Sequence, residues 1–188
     1  MVEFFPCDEI AEKYLHGVRT QIGLLGRTPR VKLFLATEDK GSVSYSKTLN
    51  KKFGEVGIDS QIVRVTSPGE LEQNILALEQ DKEITGGFVF YPIRFPGIDD
   101  SYFMRAVPEF KDIEGLSPNN IYRLVHSERN FLGTSCKAVV PCTPKAIVKV
   151  LIDSDVEIKG QDVVIINKSY SLGAPLRRML DNLGATVV

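Results

Sequence analysis

The sequence predicts an α/β protein built in two lobes, and three observations carry that prediction. Short β-rich runs alternate with helix-like segments from Ile10 to Tyr91. A stretch richer in Pro, Gly, Asn and Asp, residues 92–140, then interrupts the alternation, and a second strand–loop–helix–strand unit follows it up to Val188. Alternating strands and helices favour a mainly parallel sheet, because each parallel crossover must be long enough to hold a helix. Ligands of such sheets gather at the carboxyl ends of the strands.

Taken in order, Ile10, Ala11, Tyr14, Leu15 and Val18 recur at helical spacing behind Asp8, a good N-cap. "VKLFLA" (31–36) reads as the first strand, and a helix runs from about Ser42 to just before Gly57, a residue suited to a C-terminal cap. "QIVRV" (61–65) is the second strand. Ser67-Pro68 opens the next helix with proline at its first position, and "GGFVFY" (86–91) is the third strand. Residues 92–140 hold short helical pieces and the polar turn "KDIEGLSPNN"; an irregular region of that length is often functional. Thr143 and Pro144 cap the helix "PKAIVKVLI", a connector between lobes. Strand "DVVII" (162–166), loop "NKSYSLGAP", helix "LRRMLDNL", a cap at Gly184 and strand "ATVV" complete the chain. The division expected is 1–142 and 143–188. A full dinucleotide-binding sheet needs several more strands, so the second lobe is expected to be truncated after its first β-α-β.

The composition, 43% apolar and 25% charged over 188 residues, is that of an ordinary globular protein. A net charge of −1, from 23 basic and 24 acidic side chains, argues against nucleic acid or an anionic membrane as partner and for a small molecule. Cys7, Cys136 and Cys142 form no CxxC pair, which points to free thiols in a reducing compartment. "MVEFFPCDEI" lacks the basic start of a secretion signal, and no run approaches 18 apolar residues, so a soluble cytoplasmic protein is expected.

Three stretches could carry chemistry. On the helix after the first strand, Tyr45, Leu49 and Lys52 share a face while Lys47 and Lys51 point away. Lys52 lies two turns from the tyrosine, too far for a direct partnership, so these lysines read as a solvated basic face. The loop "NKSYSLGAP" sits between a strand and a helix start, where amide N–H groups and the helix dipole favour a phosphate. Lys168 and Ser169 strengthen that reading; Gly173 is the loop's single glycine, so the G-x-G-x-x-G fingerprint is absent and an ordinary βα loop is the alternative. Cys142 lies between two prolines just ahead of a helix, where the dipole favours a thiolate, or else it is a small buried filler. His16 and His126 stand apart from other ligand types, and no metal is expected.

The ordered set "TPRVKLFLATEDKGSVSY", the tyrosine helix ending in "EVGI", "GGFVFYPI", "KDIEGL", "VPCTPKAIVKVL" and "VIINKSYSLGAPL" resembles the methylenetetrahydrofolate dehydrogenase/cyclohydrolase family over nearly the whole chain. The resemblance implies an N-terminal folate-binding lobe, a C-terminal Rossmann lobe carrying a nicotinamide cofactor, and folate between them. It also implies roles. Cys142 would be the active-site residue beside the bound ring, Glu114 would anchor the pterin, and Tyr45 would stack on it or hydrogen-bond it. Phe90 and Pro92 would line the substrate site, and Lys168, Ser169 and Gly173 would belong to the cofactor site.

Departures from the pattern sharpen the expectation. Where bifunctional members place a lysine one turn after the motif tyrosine, this chain has Leu49; their "VQLPLP" glutamine aligns with Phe90, and the second acid of "KDVDG" with Glu114. Leucine and phenylalanine cannot transfer a proton or orient a water, so hydrolysis of the methenyl ring is expected to be absent. Hydride transfer depends on positioning folate against the nicotinamide and is expected to persist. The pattern, with "NKS" for "GRS", resembles the eukaryotic monofunctional NAD-dependent branch, which acts in one-carbon metabolism and purine biosynthesis. NAD is the expected cofactor, with NADP open because the discriminating residues follow the second Rossmann strand. Many family members are dimers through the Rossmann lobe, so a homodimer is among the expectations. A non-catalytic folate-binding or assembly homologue is the alternative if the natural chain ends at Val188.

Overall fold

The computed structural model describes residues 4–93 and 95–188; the first three residues of the stretch read as free of a secretion signal lie outside them. The chain forms two compact units, one from Tyr14 to Ile113, the other joining the residues up to Lys13 to Glu114–Val188. The first helix, α1 (Cys7–Leu24), runs through the junction at Lys13. It starts two residues earlier than expected, so Asp8 sits in its first turn, favourable to the helix dipole, rather than at its cap. Of its periodic apolar positions only Ile10 is buried, with Leu15 half-buried and Tyr14 and Val18 exposed.

In the Tyr14–Ile113 unit, β1 (Arg30–Leu35) lies between β2 (Asp59–Arg64) and β3 (Gly86–Val89), parallel to both. Parallel strands covered on both faces must be apolar on both. Here alternation sorts the side chains. Val31, Leu33 and Leu35 join Phe88 and Phe90 on the face covered by Val43, Leu49 and Phe53 of α2 (Lys40–Glu55). Phe34, Ala36 and Val89 point the other way, onto Leu71, Ile75 and Leu78 of α3 (Pro68–Gln80) and Phe103 of α4 (Asp100–Ala106). Ser67 caps α3 as expected, its hydroxyl accepting the Glu70 amide at 3.2 Å, while the Glu70 carboxylate accepts the Thr66 amide at 2.8 Å.

The other unit carries α5 (Pro118–Val125), α6 (Cys142–Asp153), β4 (Asp162–Val163), α7 (Gly173–Asn182) and β5 (Thr186–Val187). Val148, Ile158, Leu176, Leu180 and Val187 form its core. The expected five-residue strand 162–166 contributes two residues to a parallel ladder with β5, extended by the Ile165 amide donating to the Val188 carbonyl at 2.9 Å. Val164 and Ile166, apolar enough to have read as strand core, are exposed. Helix α6 begins at Cys142 with Pro141 as its N-cap, so Thr143 and Pro144 lie inside its first turn. Gly57 and Gly184 follow α2 and α7 at positive φ, +88° and +89°, as expected of C-terminal caps. This packing division falls after Ile113, whereas the division at residue 142 concerned which ligand each part holds.

Candidate functional site

In the Tyr14–Ile113 unit, the candidate residues gather at the carboxyl ends of β1 and β3. Asp39 starts α2 there, its Oδ2 accepting the Ser42 amide at 2.9 Å, and the Ser42 hydroxyl donates to the Tyr91 carbonyl at 2.7 Å. That bond fastens the first turn of α2 to the end of β3. One turn later Tyr45 meets Phe90 edge to face, ring centroids 5.7 Å apart at 89°, with Phe90 tilted onto Phe88 at 4.7 Å. Tyr45 is half-exposed, whereas Phe90 is 2% exposed. Leu49 packs into the same apolar cluster. The face carrying the tyrosine therefore offers aromatic and aliphatic surface where an acid/base pair would need a titrating neighbour. Pro92 follows a cis Tyr91–Pro92 peptide and is half-buried; next to it the Ile93 amide donates to Asp100 Oδ1 at 3.0 Å.

The lysines of α2 go elsewhere. Lys52 and Lys51 pair with Glu55 at 3.0 and 3.9 Å, and the Lys52 hydrogen bond foremost holds the Glu55 carboxyl below the usual glutamate range. Lys47 lines a shallow depression of about 370 Å³ with Glu38, Lys40, Val43 and Ser44.

In the other unit, three segments converge. Gly115, at φ +76°, presses on the backbone of Val139–Pro141 so closely that a Cβ would stand 2.6–2.9 Å from it. This brings the Glu114 segment against the one that ends at Cys142. Buried Asn120 reinforces the junction, accepting the Val139 amide at 2.9 Å and donating to Ser117 Oγ at 2.9 Å. Cys142, at the first position of α6, is exposed and forms no disulfide among the described residues, which excludes the buried-filler alternative.

The third segment is the loop before α7. Asn167 Oδ1 accepts the Ser169 amide (2.9 Å), the Ser169 hydroxyl (2.9 Å) and the Gly173 amide (3.1 Å), while Ser169 Oγ accepts the Leu172 amide at 3.2 Å. A Cβ on Gly173 would lie 1.9 Å from the Asn167 carbonyl oxygen, so glycine alone permits this turn. Tyr170 reaches out of the loop and donates its hydroxyl to the Leu116 carbonyl at 2.8 Å. Lys168 and Ser169 are exposed at the helix start. The close-packed glycine, a cation and a hydroxyl there fit the phosphate or ribose of a dinucleotide, although Asn167 already occupies the Gly173 N–H.

Lys168, Ser169 and Gly173 thus share one loop, Tyr45 and Phe90 touch, and the segments of Glu114 and Cys142 abut. Sequence reasoning missed Asn167 and Tyr170. An Asn two residues before a Ser at a strand end is a readable turn signal. Tyr170 carries no such signal, its partner being 54 residues away.

Residues 6–114 match the family model "Tetrahydrofolate dehydrogenase/cyclohydrolase, catalytic domain", and residues 141–188 match the corresponding NAD(P)-binding domain. A methylenetetrahydrofolate dehydrogenase [NAD(+)] of Dictyostelium discoideum is 36% identical over 95% of this chain and 60% of its own length. The bifunctional protein FolD of Thermotoga maritima is 32% identical over 94% of this chain and 61% of its own length. Among solved structures, the NAD-dependent 5,10-methylenetetrahydrofolate dehydrogenase of Saccharomyces cerevisiae superposes with a TM-score of 0.88 at 27% identity, covering 96% of this chain and 62% of its own. The Trypanosoma brucei dehydrogenase-cyclohydrolase, complexed with NADP and an inhibitor, gives 0.87 at 26% identity, covering 100% of this chain and 63% of its own. The chain thus spans about 60% of the length of these relatives.

Proposed function

Because this chain belongs to the tetrahydrofolate dehydrogenase/cyclohydrolase family, we propose that it serves the NAD-dependent oxidation of 5,10-methylenetetrahydrofolate to the 5,10-methenyl form, without hydrolysing the methenyl ring. Residues 1–142 hold folate and 143–188 contribute to the cofactor site. The observation that carries the reading is the Tyr45–Phe90–Leu49 surface. Leu49 and Phe90 can neither transfer a proton nor fix a water for attack, and Phe90 is held by Phe88 behind it.

A nicotinamide, when bound, supplies the hydride acceptor. The chain's own residues do the positioning. Glu114 accepts hydrogen bonds from the pterin, Tyr45 offers its exposed ring for stacking, and Pro92 lines the folate site. Lys168 and Ser169 hold phosphate or ribose, and the Cys142 thiol bounds the space beside the ring without a proton-transfer role. The Dictyostelium and yeast relatives, both NAD-dependent by name, support NAD over NADP. The reading extends to a cytoplasmic homodimer. Cys7, Cys136 and Cys142, all exposed and in no disulfide among the described residues, support a reducing compartment.

The test separates the two activities in the natural protein: NADH formation with the methylene substrate, and loss of methenyl absorbance without cofactor. We expect the first and only uncatalysed decay in the second, and no gain of hydrolysis from Leu49→Lys alone, because Phe90 still displaces the partner group. Robust hydrolysis by the unaltered protein overturns the reading.

A further inference from the structure

We infer that Tyr170 is a positioning residue that couples occupancy of the cofactor loop to the placement of Glu114, so that cofactor and folate strengthen each other's binding. The inference rests on the functional reading above and concerns a residue that reading does not use. Tyr170 lies between Ser169 and Leu172, inside a turn whose backbone Asn167 pins at both ends. Its hydroxyl leaves that turn and donates to the carbonyl of Leu116, at 2.8 Å. Leu116 is 4% exposed, so its carbonyl is held in a packed setting. It is also two residues from Glu114, across Gly115, which packs closely against Val139–Pro141. A ligand that orders the 167–173 turn therefore orders the Tyr170 hydroxyl, and through one hydrogen bond the Glu114–Leu116 backbone.

The coupling is a difference in free energy between loop states, and a single partly buried hydrogen bond is large enough to carry a several-fold effect. Reciprocity requires the same factor in both directions. Removing the hydroxyl leaves the ring in place and takes away the hydrogen bond to Leu116.

The experiment uses the natural protein, tetrahydrofolate and NAD as probes, and calorimetric titration of each ligand with and without the other. In the unaltered protein each ligand is expected to tighten the other about fivefold. In Tyr170→Phe each ligand alone binds within about twofold of its former affinity, and the mutual enhancement disappears. Hydrogen exchange gives a readout independent of activity: NAD slows the amides of residues 115–117 in the unaltered protein and leaves them unchanged in Tyr170→Phe. Enhancement that survives in the variant overturns the inference, as does its absence from an unaltered protein that binds both ligands. If the unaltered protein binds neither ligand, the functional reading itself fails and takes the inference with it.

Discussion

On the function proposed above, Leu49 and Phe90 are the two side chains that would remove one reaction while leaving the scaffold of another. Both join the apolar cluster beneath Tyr45, and both were legible in the sequence because helical spacing from Tyr45 and the strand pattern of "GGFVFYPI" place them directly. An edge-to-face pair such as Tyr45–Phe90 adds about 0.5–1.5 kcal/mol beyond its burial, enough to bias one ring orientation. The loop before α7 was half legible. Lys168, Ser169 and Gly173 could be assigned to it from position alone, but Asn167, which organises all of its turns, read as a departure from a motif. Gly173 gives the sharpest expectation at this scale. A Cβ 1.9 Å from a carbonyl oxygen must displace backbone, so Gly173→Ala should cost about 3 kcal/mol or more in urea unfolding. An unchanged midpoint would show that the turn relaxes freely.

Helix α3 illustrates what an element owes to its first turn. Ser67 and Pro68 were read as a helix start, and the structure adds the Glu70 carboxylate reaching back to the Thr66 amide and hydroxyl at 2.8 and 3.1 Å. The Thr66 amide foremost, then its hydroxyl, hold the Glu70 carboxyl below the usual glutamate range. A folded-state pKa that is depressed contributes stability above the unfolded value and loses it as pH falls through the folded one. Glu70→Gln should therefore lower Tm at neutral pH, and the gap should close on acidification below the ordinary glutamate range. A gap that persists in acid would assign the effect to something other than the carboxylate charge. Ser67→Ala should cost about 1 kcal/mol at any pH. The β4 segment was read less well. Its apolar run suggested five strand residues, yet a ladder is made by a partner's register, and β5 supplies two pairs. Periodicity reports what a segment can bury; it is silent on how much neighbour is there to cover it.

Across the whole molecule, the α/β class and the order of elements followed from alternation, whereas the packing boundary after Ile113 did not, because it depends on contacts between residues far apart in sequence. Stability should be distributed just as unevenly. β1 is bonded on both sides and its Leu33 and Phe34 are fully buried, while the two-residue β4–β5 ladder has exposed Val164 and Val188 at its flank. Amide exchange should therefore be slower by orders of magnitude at Leu33 and Phe34 than at Val163 and Val187; equal rates at the two places would mean a single cooperative unit. One more consequence belongs to the Gly115–Val139 closure. Beyond α5, which is tied to α7 by the Asn182 side-chain amide donating to the Leu124 carbonyl at 3.2 Å, the hairpin joined by Asn130 and Lys137, with Leu132 exposed at its turn, returns to a root sealed by Gly115 and Asn120. Lengthening a loop whose ends are already tied costs little entropy. The hairpin tip is thus a place where the chain can acquire new sequence, and with it new partners, while the Glu114 and Cys142 segments stay in register.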